Sequence, residues 1–73
     1  MTTTSALTPR ELEVAALVAE GLTNKEIGAH VGVSESSVKA TLQQLFRKTR
    51  VRTRAQLVRI AVEGSLGSMR KAR

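Results

Sequence analysis

The sequence predicts an all-α domain of four short helices. Three observations predict it. Thr-x-x-Glu/Gln capping boxes recur at Thr8-Pro9-Arg10-Glu11, Thr23-Asn24-Lys25-Glu26 and Thr53-Arg54-Ala55-Gln56, and each marks a helix start. Apolar residues recur at helical spacing, and no segment shows the alternation of a strand. Gly21 and Gly32 each follow an apolar helical stretch, where a helix end favours a left-handed residue.

The first helix opens at Pro9, a residue suited to the first helical position, with Thr8 as its cap. Leu12, Ala15, Ala16 and Ala19 repeat along it, with Val14, Leu17 and Val18 beside them, and Gly21 is its expected end. The second helix runs from Thr23 to about Val31, with Ile27 and Val31 as its inward pair. Gly28 inside it costs roughly 1 kcal/mol against alanine, so another helix is expected to cross there closely. Gly32 makes a tight turn with Val33 as its apolar anchor. Ser34 caps a third helix that meets no breaker until about Arg50. The fourth helix opens at Thr53 and ends near Gly64. The domain is therefore placed at residues 7–64, between a flexible lead at 1–6 and a flexible basic tail at 65–73.

A chain of 73 residues holds one domain with a thin core. It has no cysteine, so neither a disulfide nor a thiolate metal site is available. With one histidine and six carboxylates, no metal site is expected, and no cofactor or small-molecule ligand is evident. Residues 1–7 have neither the basic start nor the apolar run of a signal peptide. No apolar stretch approaches the ~20 residues needed to span a bilayer. A cytoplasmic, nucleoid-associated protein is expected.

The net charge of +6 is distributed unevenly. Residues 1–38 hold two basic and five acidic side chains, and residues 39–73 hold ten basic ones and Glu63 alone. A molecule polarised in this way suits a polyanion on its basic side. A basic membrane-surface helix fits less well, because large apolar side chains do not flank the cations.

Residues 24–42 combine Ile27, Val31, Val33, Val38 and Leu42 with a small residue at Gly28 and a turn at Gly32, as two helices sharing a core at an angle require. On a wheel of ~100° per residue, Val38, Leu42, Leu45 and Thr49 share one side of the third helix, with Phe46 and Thr41 at its margins. The opposite side carries Ser36, Ala40, Gln43 and Arg47, flanked by Lys39 and Gln44, with no carboxylate beyond Glu35. Glutamine suits the adenine edge, and Lys or Arg suits guanine or phosphate. Ser34, Ser36 and Ser37 stand at the helix N-terminus, where free N–H groups suit a phosphate oxygen. A solvated polar face is the bland alternative. The turn signature and the charge polarity weigh against it.

The motifs LTPRELEV, EGLTNKEI and VGVSESSVK, followed by VRTRAQLV, resemble the LuxR-type (GerE/NarL-like) helix-turn-helix domain of bacterial transcription regulators. The resemblance runs from Leu7 to Lys48 and on through Val51 to Val58. It implies a third helix that reads the major groove and a homodimer through the fourth helix on two half-sites. The family's phosphate contacts map onto Asn24, Lys25, Ser34, Ser36 and Ser37. Its base-reading positions map onto Lys39, Ala40 and Gln43, and Thr41, Gln44, Arg47 and Lys48 fall on the backbone side. The chain departs from the family's usual threonine at Ser37, histidine at Thr41 and Leu-Gly at Thr49-Arg50. Thr49 on the buried side predicts a less well packed end to the third helix.

The fourth helix has more apolar surface than one core needs. Leu57, Ile60 and Ala61 make one stripe, and Ala55, Val58 and Val62 widen it beyond a core-facing ~100°. The surplus predicts a two-fold contact with a second copy through Arg54, Leu57, Val58, Ala61 and Val62. A few exposed valines on a small protein are the alternative.

Double-stranded DNA and a second copy of the chain are the expected partners, with RNA polymerase as a further one and no membrane. A competing reading is a protein-interaction module that antagonises a larger regulator through the fourth helix. The cationic strip of the third helix argues against it. No catalytic constellation is present, so no enzyme is expected: Ser34 is explained as a cap, and His30 as a surface or half-buried residue. With no Tyr or Trp and one Phe, a base-stacking single-strand module is disfavoured.

Overall fold

The computed structural model describes residues 7–64. The expected lead at 1–6 and basic tail at 65–73 lie outside the described residues. Four helices follow one another: α1 (Pro9–Ala19), α2 (Asn24–Val31), α3 (Glu35–Thr49) and α4 (Arg54–Val62). This is the all-α helix-turn-helix architecture read from the sequence.

Each predicted capping box is closed in both directions. Thr8 Oγ1 accepts the Glu11 N–H at 3.1 Å while Glu11 Oε1 accepts the Thr8 N–H at 2.9 Å. Thr23 and Glu26 repeat this at 3.1 and 2.8 Å. Thr53 Oγ1 accepts the Gln56 N–H at 3.1 Å, and Gln56 Oε1 accepts the N–H groups of Arg52 and Thr53 at 2.7 and 3.3 Å. Six of the N–H groups that helix starts leave without partners, those of the cap and of the third helical residue in each box, are satisfied by residues three positions away.

α1 packs against the other three helices, and α2 packs against α3. The core is Leu7, Val14, Ala15, Leu17, Val18, Ile27, Val38, Leu42, Leu45 and Leu57. The inward face of α1 is turned from the alanine-rich stripe that its spacing suggested. Val14, Leu17 and Val18 are buried with Ala15, whereas Ala16 is exposed and Leu12 and Ala19 are half-buried. The larger side chains remove more apolar area from water, so they decide the rotation of the helix.

Gly28 is small for a reason other than a crossing helix. A Cβ there would stand 2.7 Å from the carbonyl oxygen of Val33, in the turn that follows its own helix. That turn folds back onto Gly28, whose carbonyl accepts the N–H groups of Gly32 at 2.8 Å and Val33 at 2.9 Å. Gly32 itself adopts φ 81° and ψ 32°, a left-handed conformation that reverses the chain between the helices.

Glu11 is buried within the otherwise apolar core. Lys48, near the end of α3, places Nζ 2.9 Å from Glu11 Oε1. Arg50 follows with φ 61° and ψ 29°, the one left-handed residue that is not glycine among the described residues. Thr49 is half-buried, and its hydroxyl donates to the Leu45 carbonyl at 2.6 Å, so a polar group near the core edge is satisfied within its own helix.

Candidate nucleic-acid interface

The outward face of α3 matches the wheel. Ser36, Lys39, Ala40, Gln43, Gln44 and Arg47 are all exposed, while Val38, Leu42 and Leu45 are buried opposite them. Core packing therefore sets the rotation of α3 and leaves this face to solvent. Beyond Glu35 it carries no carboxylate.

Two serines are tied together where α3 begins. Ser34 Oγ accepts the Ser37 N–H at 3.1 Å and donates to Ser37 Oγ at 3.1 Å. One of the two hydroxyl protons bridges the oxygens, and the other is left to reach an external acceptor. Thr41, half-buried, donates its hydroxyl to the Ser37 carbonyl at 3.0 Å. Its proton is spent on its own helix rather than turned outward. Lys25 on α2 is exposed, and Asn24 beside it is half-buried.

Three residues assigned to the interfaces from the sequence are engaged inside the domain. Lys48 was expected on the DNA backbone side. Its ammonium is turned inward onto Glu11, and its side chain is only 16% exposed. Leu57 was expected on the dimer surface but is fully buried in the domain's own core. Arg54, also expected there, spans to α2. Its Nη1 donates to Asn24 Oδ1 at 2.8 Å and its Nη2 to the Leu22 carbonyl at 2.7 Å. In each case a long-range partner, invisible to local spacing, claims the side chain.

The remaining surface of α4 is graded. Val58, Ile60 and Ala61 are half-buried, Ala55 is exposed, and Val62 is 71% exposed. His30 is exposed at the end of α2. Among the described residues no cluster of carboxylates, histidines or cysteines could hold a metal ion, and no helix is long and apolar enough to cross a membrane.

The model of the luxR family of bacterial regulatory proteins matches residues 5–61. The chain is 48% identical over 59 residues to a probable transcriptional regulator, ycf29, of Cyanophora paradoxa, covering 81% of this chain and 28% of that protein. It is 44% identical over 59 residues to a response regulator of Synechocystis, covering 81% and 26%. It is 46% identical over 50 residues to the nitrate/nitrite response regulator protein NarP of Escherichia coli, covering 68% and 23%. The chain thus spans about a quarter of the length of these relatives. No solved structure matches it. Helix order, turn and family model agree: the chain belongs to the luxR family of bacterial regulatory proteins and carries that family's helix-turn-helix DNA-binding domain.

Proposed function

We propose that this domain binds double-stranded DNA sequence-specifically, with α3 in the major groove and two copies on two half-sites. The observation that carries the reading is the exposed face of α3, on which Lys39, Gln43 and Arg47 stand among small residues without a carboxylate after the first turn. Gln43 offers the donor–acceptor pair that matches adenine, Lys39 a donor for guanine, and Ala40 a small surface that permits close approach. Asn24, Lys25, Ser36, Ser37, Gln44 and Arg47 hold phosphates on either side. The capped α3 N-terminus adds its remaining N–H groups. Of the positions that the resemblance placed on the backbone side, Lys48 leaves the set because Glu11 holds it.

The second copy is proposed to dock on the α4 face of Val58, Ala61 and Val62, with Ala55 at its edge. An exposed valine next to half-buried apolar neighbours supports such a contact. A two-fold pair would space the two recognition helices about one DNA turn, ~10 base pairs, apart.

Affinity for duplex DNA measured against salt concentration tests the reading. Each phosphate neutralised contributes about −0.9 to the log–log slope, so Lys25 and Arg47 together give about −2 per protomer. Lys39→Ala or Gln43→Ala should then cost roughly 1–3 kcal/mol and relax preference at one base pair. Absence of duplex binding at low salt refutes DNA recognition by this face.

A further inference from the structure

The guanidinium of Arg54 reaches two acceptors at the start of α2, the Leu22 carbonyl at 2.7 Å and Asn24 Oδ1 at 2.8 Å. Arg54 is the first residue of α4, and Asn24 is the first residue of α2. Their side chains are half-buried, 30 positions apart in sequence. A guanidinium has donors only, so the atom of Asn24 that faces it must be the amide oxygen. The orientation of this amide follows from chemistry and is no free choice. Nδ2, with its two N–H donors, consequently faces away from Arg54, and it has no hydrogen-bond partner among the described residues.

We propose that Arg54 is a positioning residue for DNA binding: it holds the Asn24 amide with its donors outward, ready for a phosphate oxygen. The inference rests on the DNA-binding reading above and deepens it. Left to rotate, a half-buried asparagine presents its oxygen and its nitrogen about equally, and the oxygen repels a phosphate. The fork of Arg54 removes the wrong half of that population before DNA arrives. The second arm, on the Leu22 carbonyl, fixes where the fork sits. Lysine cannot reproduce this, because a single ammonium has no planar pair of donors to span the two acceptors. The same side chain links the first turn of α4 to the first turn of α2, so the helix proposed to pair with a second copy also sets the geometry of a DNA contact.

The test is a double-mutant cycle on duplex affinity with Arg54→Lys and Asn24→Ala, in which the lysine keeps the net charge and hence the long-range field. Arg54→Lys should weaken binding about fivefold to tenfold in the natural chain and less than about twofold in the Asn24→Ala background, since Arg54 acts through Asn24. Equal losses in both backgrounds, or no loss in the natural chain, overturn the inference. A second measurement uses the unaltered chain, where no variant can fail to fold. The Asn24 side-chain amide should relax as a rigid group, unlike that of exposed Gln43, and its resonances should shift when duplex is added. A mobile Asn24 amide, or one unmoved by bound DNA, overturns the inference while leaving DNA binding intact. A natural chain that binds no duplex at low salt removes both readings together.

Discussion

Lys48 Nζ and Glu11 Oε1 lie 2.9 Å apart, and the same carboxylate oxygen accepts the Thr8 N–H that closes the first capping box. One oxygen therefore caps α1 and pins the last turn of α3 to it. Both side chains are largely shielded, at 16% and 9% exposure, so the pair is screened far less than the exposed pairs Arg10–Glu13 and Arg59–Glu63.

Lys48→Ala should destabilise the domain by about 2–4 kcal/mol in urea unfolding, because it leaves a shielded carboxylate without its cation. Its DNA salt slope should match that of the natural chain. Arg47→Ala, one residue away and exposed, should show the reverse pattern: little change in stability and a slope shallower by about 0.9. A shallower slope for Lys48→Ala would return that ammonium to the DNA.

Arg50 holds φ 61° without the freedom of glycine. A left-handed conformation costs an L-residue roughly 1–2 kcal/mol, and the greater unfolded-state entropy of glycine offsets part of this. Arg50→Gly should raise stability by about 0.5–1 kcal/mol, read as a higher Tm. An unchanged or lower Tm would show that the arginine contributes contacts that outweigh its backbone cost.

Gly28→Ala should act in the opposite sense. Alanine favours helix, but its Cβ would meet the Val33 carbonyl at 2.7 Å, against backbone that cannot swing aside. The net effect expected is a loss of about 1–3 kcal/mol, with a disturbed turn between α2 and α3. Chemical shifts at Gly32, Val33 and Ser34 check it, and a neutral substitution would mean that the turn relaxes freely.

Val62→Asp separates dimer from fold. Val62 is 71% exposed, so the charge should leave monomer stability within about 0.5 kcal/mol while lowering association in sedimentation. Leu57→Asp, in contrast, places a charge in the core and should unfold the chain, so it carries no information about pairing. A Val62→Asp chain that associates as the natural chain does would move the contact away from α4.

The helix starts, the Gly32 turn and the outward face of α3 are legible in local sequence. Each cap closes over three or four residues, and the inward side of α3 is decided by Val38, Leu42 and Leu45, whose spacing admits only one rotation. The rest depends on long-range packing. On α1 several apolar faces compete, and the core chose the one with the larger side chains. Lys48 reads locally as one more cation on a basic helix, and Arg54 as a charge beside an apolar stripe. Their partners, Glu11 and Asn24, lie 37 and 30 positions away. Leu57 reads equally as core or interface until α1 is seen to pack against α4. The division follows from range: capping and periodicity are satisfied within a turn or two of chain, whereas the fate of a charged or surplus apolar side chain depends on which distant segment the fold brings beside it.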